Sequence, residues 1–307
     1  MQTLRSRCSA VFSLLVIGGA LCAAETPRGS FEKTYQVNAP VDLQVFTHSG
    51  DISVHKGSSG TVVVKGKIYV GNRWMEGDRE AEVRNLEQNP PVHQTGNSIR
   101  ADYVELKNIS ISYDITVPAE TTVATKSGSG DQVIEGIERP VDISTGSGDV
   151  RLHDIKANVQ MHTGSGDVEA EELNGRLQAE AGSGNIHLTK ISGGDARVQT
   201  GSGDIEIRDV NAALEVQTGS GDVTADGAMT GAWDLRTGSG DVQIRLPNQA
   251  GFELQATTSS GTVVVDRPIT MTIQGNLEHA QKNVRGTVGS GGPRLTLHTG
   301  SGDVHIQ

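Results

Sequence analysis

The chain has 307 residues, of which 21% are charged and only 3% aromatic, and its formal net charge is −11. An acidic balance without basic clusters argues against nucleic acid and anionic membrane surfaces as partners. Both cysteines, Cys8 and Cys22, fall near the start, so the remainder has neither disulfides nor thiolate metal sites to hold it together.

The first 24 residues read as a secretory signal: Arg5 and Arg7 make a basic start, residues 10–21 an apolar run, and Cys22-Ala23-Ala24 a small-residue cleavage site. An apolar run of about a dozen residues is too short to span a bilayer comfortably. Its removal takes Arg5 and Arg7 with it and moves the formal charge to −13. The expectation is an exported protein, periplasmic or at the cell surface, with no transmembrane segment in the mature chain.

Residues 25–120 read as a diverged, capping part of the same architecture that follows. Residues 31–37, 41–54 and 61–70 have strand character, and Leu43, Val45, Thr47, Ile52 and Val54 alternate around His48-Ser49-Gly50-Asp51. Residues 78–88 are the one predicted helix, with Asp78 as N-cap, Ala81, Val83 and Leu86 as contact residues and Pro90-Pro91 as the stop. Its expected place is over the open N-terminal end of the strands, where unpaired edges invite aggregation. Strands at 92–94 and 98–103 flank a Gly96-Asn97 turn, and Ile109, Ile111, Tyr113, Ile115 and Val117 alternate up to Pro118.

From residue 121 onward the chain is governed by a tetrapeptide. Gly-Ser-Gly-Asp occurs at 128–131, 146–149, 164–167, 201–204, 219–222, 238–241 and 300–303, with looser copies at 48–51, 182–185 and 259–262. From 128 to 238 the steps are 18, 18, 18, 19, 18 and 19 residues, the mark of a stack of like units. Counting from the Thr or equivalent before each copy, apolar or small residues fall at −4, −2, +5, +7 and +10: Val141, Ile143, Val150, Leu152 and Ile155 around Thr145, and Leu214, Val216, Val223, Ala225 and Ala228 around Thr218. Polar residues alternate with them. Each unit is therefore two short strands joined at a glycine corner, and stacking pairs every backbone group between units about 4.8 Å apart.

The predicted fold is all-β: a single-chain parallel β-solenoid with coils of about 18 residues. No six-residue period marks it as a left-handed β-helix, and parallel crossovers favour the right hand. Coils are expected without interruption from 121 to about 266, then a loop at 274–286, then a final coil at 295–306 with no cap. That uncapped last pair is expected to dock a partner or a second copy edge to edge. The two glycines of each corner suggest positive φ, and the Asp a turn-capping acceptor.

The leader, the T-G-S-G-D-[VI] copies, the segment YDITVP at 113–118 and the ending VGSGGPRLTLHTGSGDVHI at 288–306 resemble the bacterial "putative adhesin" domain family of unknown function, related to the head GIN domain. The resemblance implies a cell-envelope β-solenoid and transfers no catalytic residue or cofactor.

The column Asp131, Asp149, Asp167, Asp204, Asp222 and Asp241 is the sharpest chemical feature. Its functional reading is a Ca²⁺ site, as in Gly-rich β-rolls; its structural reading, preferred here, is turn capping. A third reading pairs ladder carboxylates as a glycosidase, but any in-register Asp column matches that separation. The Gly-Ser-Gly triplets lack the third glycine and the βαβ setting of a dinucleotide fingerprint. His48, His153, His162, His187, His298 and His305 fall at outward positions, Trp233 at an inward one, and Trp74 is a possible sugar-stacking platform. The reading is a non-enzymatic envelope scaffold or adhesin-like surface that meets an envelope protein or polysaccharide. The alternatives are a Ca²⁺-binding module and a carbohydrate-active enzyme.

Overall fold

The computed structural model describes residues 26–71, 79–271 and 282–307. The leader, Trp74, Asp78 and most of the expected 274–286 loop lie outside them.

Among the described residues, twenty-five strands form one continuous hydrogen-bonded sheet, folded back at the corners of each coil into two walls around a single core. The leading wall carries the strands before each glycine corner and the trailing wall those after it. Val141–Thr145 pairs in parallel with Val159–Thr163, Val141 facing Val159 and Thr145 facing Thr163. On the trailing wall Val150–Ile155 pairs with Val168–Asn174, Leu152 facing Ala170. Residues 18 or 19 apart are thus neighbours through this stretch, and the Thr-centred offsets point inward: Val141, Ile143, Thr145, Val150, Leu152 and Ile155 are all buried. Ala228 is the exception. The long strand Ile205–Ser220 shifts register against Val223–Ser239, so Gly227 comes to face Val210 and Ala228 is pushed outward.

Both ends depart from the parallel pattern. Val41–Thr47 and Ile52–Lys56 form the first coil, stacked on Thr121–Ser127 and Gln132–Glu135. Beyond it, Ile109–Val117 pairs in parallel with Ile52–Lys56, then Thr61–Val70 and Gly29–Gln36 close the trailing wall in antiparallel order. The helix runs Glu80–Gln88 and buries Val83 and Leu86, while Ala81 is exposed. It lies against Gly29–Gln36, where Glu87 Oε1 accepts the Ser30 N–H at 3.0 Å. This covers the end strand of that wall, as the edge argument requires.

The C-terminal order corrects the expectation of an uninterrupted run. Arg294–Ser301 pairs on one side with Val223–Ser239 and on the other with Phe252–Ser260. Val304–Ile306 likewise separates Val242–Arg245 from Val263–Val265. The last coil in sequence is therefore the next-to-last in space, and the free edge expected there does not exist. The end strand of the trailing wall is instead Val263–Val265, where Val264 is the one exposed large apolar side chain among the described residues. Residues 283–286, expected in a loop, belong to the strand Asn283–Val288, antiparallel to both Phe252–Ser260 and Ile269–Met271. Arg267 pins the inserted coil by donating to the Gln307 carbonyl at 2.8 Å and the Pro247 carbonyl at 2.9 Å.

The core is almost wholly aliphatic, with Trp233 and Phe252 its largest buried side chains. Trp233 is satisfied: its Nε1 donates to the Ala212 carbonyl at 3.0 Å. Tyr113 is not. Its hydroxyl is buried without a hydrogen-bond partner among the described residues, and burial, then the Asp102 carboxylate, push its pKa far above the ordinary tyrosine value. An unmet buried hydroxyl costs about 1–3 kcal/mol. Tyr113→Phe is therefore expected to raise stability by about 1 kcal/mol in urea denaturation, with an unchanged slope.

Candidate functional site

Two columns of polar groups run through the glycine corners. At the Thr145 and Thr163 corners a buried threonine accepts a hydrogen bond from the amide of the second glycine and donates to a carbonyl of the adjacent coil, and Ser127 does the same before Gly130. From Gly184 onward the second-glycine amide donates instead to a backbone serine carbonyl of the next coil. Gly148 N–H reaches Thr145 Oγ1 at 3.1 Å, and Thr145 Oγ1 reaches the Gly130 carbonyl at 3.3 Å. Gly166 and Thr163 repeat the pair one coil on, with Thr163 donating to the Gly148 carbonyl at 3.1 Å. A buried hydroxyl is affordable only with such partners.

The aspartates form a second, outer column. Asp131 Oδ1 accepts the Asp149 N–H at 3.0 Å, and Asp149 Oδ1 accepts the Asp167 N–H at 3.0 Å. Asp167 serves Asn185, Asn185 serves Asp204, Asp204 serves Asp222, and Asp222 serves Asp241, all within 3.0 Å. Asp241 then serves Asp303, confirming the spatial order of the last coils. Ser112 begins the column and Thr262 ends it, donating both its N–H and its hydroxyl to Asp303 Oδ1. Asn185 fits because only an acceptor oxygen is needed. Thr262 fits because no further coil asks it for one.

The six candidate metal ligands thus lie in one line, each with an oxygen engaged by a backbone amide. Among the described residues no group of three or more His, Cys, Asp or Glu side chains is arranged to hold a metal ion. Asp149→Asn keeps the acceptor and removes a like charge from the line, so stability is expected to change by no more than about 0.5 kcal/mol; Asp149→Ala is expected to lose about 0.5–1 kcal/mol. The Thr262 N–H and then its hydroxyl hold the Asp303 carboxyl below the usual carboxylate range. A folded-state value below the unfolded one means this contribution is complete above about pH 4 and fades as pH falls through the folded value. A chemical-shift titration checks it: Thr262→Val should move Asp303 upward.

Glycine at the corners reflects close approach more than left-handed backbone. A Cβ on Gly148 would stand 2.0 Å from the Gly130 carbonyl oxygen, and one on Gly166 would stand 1.9 Å from that of Gly148. Positive φ appears at the second glycine only from Gly203 onward. The opposite corner carries the left-handed residues instead, in the column Asp154, Glu172, Lys190 and Asp209.

Outside these columns, a shallow groove of about 430 Å³ runs over the outer face of the trailing wall, bordered by the aspartate column. Arg151 Nη2 binds Asp149 at 3.1 Å and its Nε approaches Glu169 at 3.6 Å; His187 faces Glu206 at 3.6 Å. With Asp167 and Arg208 also lining it, carboxylates outnumber guanidiniums. The histidines point outward as expected, and His153, His162 and His305 face carboxylates of neighbouring coils, Glu171, Glu180 and Asp266.

One cluster went unnoticed in the sequence. On the outer face of the first coil, the His48 ring stacks on Tyr103 with centroids 4.5 Å apart, Phe46 lies 5.6 Å from Tyr103, and the Arg100 guanidinium sits 4.8 Å from the Phe46 centroid. The available signals were Phe46 at an outward offset and His48 where every copy but that at 259–262 has glycine.

No helix among the described residues is long and apolar enough to cross a membrane. No curated protein matches the chain. Structural comparison aligns it with a "putative cell adhesion protein" from Clostridium sporogenes, 13% identical, covering 90% of this chain and 98% of that one at a TM-score of 0.27. It also aligns with a "putative adhesin" from Bacteroides fragilis, 15% identical over 91% and 98% of the two chains at a TM-score of 0.41. Another, from Parabacteroides distasonis, is 10% identical over 92% and 99% at a TM-score of 0.47. The Toastrack DUF4097 family model matches residues 27–193 and again 115–307, two overlapping passes that together run from 27 to 307. The chain belongs to the Toastrack DUF4097 family.

Proposed function

We propose that the protein is an exported, non-enzymatic scaffold of the cell envelope, an adhesin-like β-solenoid that works through its outer walls. The proposal includes cleavage of the leader after Ala24 and a right-handed coil. The observation that carries it is the distribution of polar chemistry. The interior is aliphatic with a hydrogen-bonded threonine column, and the charged groups stand on the outer faces, where basic side chains pair with carboxylates of the same coil or the next. Such walls offer a long, regular surface for contact.

The test is co-sedimentation of the purified mature chain with isolated envelope fractions, alongside an activity screen on neutral and acidic glycans. Co-sedimentation without turnover is the expected result. Turnover of any glycan, or a chain that stays wholly in the supernatant, would contradict it. In this proposal the aspartate column caps turns and holds no resident Ca²⁺, so millimolar Ca²⁺ should leave the Tm unchanged; a rise of several degrees would reassign the column.

A further inference from the structure

The glycine corner recurs coil after coil, so a departure from it is informative. The first coil provides one. Its motif reads Thr47-His48-Ser49-Gly50-Asp51, with a histidine at the first glycine position. At the copies that carry glycine that position is closed to a side chain: a Cβ on Gly128, Gly146 or Gly164 would stand 2.3–2.4 Å from a carbonyl oxygen of the adjacent coil. Only the 259–262 copy near the other end of the stack also departs, with Ser259. At the first coil the obstacle is gone. Ser98–Ala101, the next strand out on this wall, pairs only as far as Val45 facing Ala101. The His48 position is left open, although Gly50 is still closed by the Ile111 carbonyl, and the His48 ring lies there against Tyr103.

Space permits the ring; it does not call for one. A plug for the end of a core would be aliphatic and buried, whereas His48 is exposed and Phe46 and Tyr103 are half-buried. The three rings gather on an outer face of a chain that is 3% aromatic, while Phe31, Tyr113, Trp233 and Phe252 are spent on the core.

Beside the rings runs a line of planar polar groups that fix one another. Arg100 Nε donates to Asp102 at 2.6 Å and its Nη1 donates to Gln44 Oε1 at 3.3 Å. Gln44 Nε2 donates to Asp42 at 3.0 Å, and Ser98 Oγ donates to the same carboxylate oxygen at 3.1 Å. Aromatic faces set beside pre-oriented guanidinium, amide and carboxylate groups suit a ligand with one apolar C–H face and a rim of vicinal hydroxyls. A protein partner would need roughly 800 Å² per side with an apolar centre. Here the neighbouring strand presents Thr122, Ala124 and Lys126 in register with Asp42, Gln44 and Phe46, and no wider apolar surface.

We infer that the outer face of the first coil is a saccharide-binding subsite. The rings of Phe46, His48 and Tyr103 take the C–H face of a sugar, and Asp42, Gln44 and Arg100 bind its hydroxyls. The inference rests on the envelope-surface reading and names its ligand class.

Affinity electrophoresis of the mature chain through gels containing hydroxyethylcellulose or polygalacturonate tests it. Retardation in at least one polymer is expected, weakened at least fivefold by Tyr103→Ala and by Gln44→Ala, and unchanged by Glu206→Gln in the groove on the other wall. Gln44→Ala removes no ring, so it keeps the test valid if Tyr103→Ala lowers the Tm. Absence of retardation in both polymers, or variants retarded like the parent, would overturn the inference. Envelope binding that protease treatment of the envelopes abolishes would also overturn it, assigning the surface to a protein partner while leaving the envelope reading intact.

Discussion

Gly148→Ala and Gly166→Ala are each expected to destabilise the protein by about 3 kcal/mol or more, the upper range for an overpacked site, while Ser147→Ala between them changes stability by less than about 0.5 kcal/mol. The cause is geometric. The added methyl carbon would stand 2.0 Å or less from a carbonyl oxygen of the adjacent coil, and backbone cannot step aside as a side-chain tip can. That oxygen is also an acceptor for a buried threonine: the Gly130 carbonyl for Thr145, the Gly148 carbonyl for Thr163. Separating the coils enough to admit the methyl would strand those hydroxyls in the core as well. Ser147 is exposed at the tip of the corner, so its hydroxyl is replaceable by water. Chemical denaturation of the three variants checks the contrast, and a glycine variant within 1 kcal/mol of the parent would refute close coil contact.

Deleting residues 294–307 is expected to unfold the C-terminal third rather than trim an end. The deletion removes Leu295, Leu297, Val304 and Ile306, all buried, each worth about 2–5 kcal/mol in a core. It also opens a slot between Val223–Ser239 and Phe252–Ser260, leaving two strand edges where there were none. The combined loss exceeds the roughly 5–15 kcal/mol that holds a typical domain. A stacked array fails locally first, so the coils before residue 205 should keep their structure. Hydrogen exchange by mass spectrometry should show fast exchange across 223–265 and slow exchange across 141–200. Uniform protection would mean the final coil is an appendage.

These two expectations differ in how far the sequence reveals them. The corner column is legible because its cause is local and periodic: an 18-residue step brings each glycine over the one before, and each Asp within reach of the next amide. Asn185 at an Asp position was enough to suggest that the acceptor oxygen matters more than the charge. The inward set is legible for the same reason, and it fails only at Ala228, where a register shift that no residue announces slides Gly227 into the inward place.

The position of the last coil is different. Leu295, Leu297, Val304 and Ile306 have the same offsets as every other coil, so their pattern fits any level of the stack equally well. What selects the level is the strand Asn283–Val288, which lies antiparallel to Phe252–Ser260 and sends the chain back across Gly251. A carbonyl at Gly291 stands where a Cβ on Gly251 would go, and this crossing explains the dense glycines at 289–292. Those glycines were visible in the sequence; which strand they cross was not. The aromatic cluster was hidden by the same sequence distance, since Tyr103 lies 55 residues beyond His48 and outside any repeat.

Disulfide trapping in a chain that lacks residues 1–24, and with them Cys8 and Cys22, tests the stacking order most directly. Facing serines allow three double variants: Ser202 with Ser220 on successive coils, Ser239 with Ser301 across the inserted coil's near side, and Ser239 with Ser260, which the inserted coil separates. Strand neighbours about 4.8 Å apart fall within disulfide reach, and residues two levels apart, at about 9.6 Å, do not. Rapid cross-linking of the Ser202/Ser220 and Ser239/Ser301 cysteine pairs, with the Ser239/Ser260 pair remaining reduced, is the predicted result. Efficient cross-linking of Ser239 with Ser260, or none between Ser202 and Ser220, would contradict the stacked order of the coils.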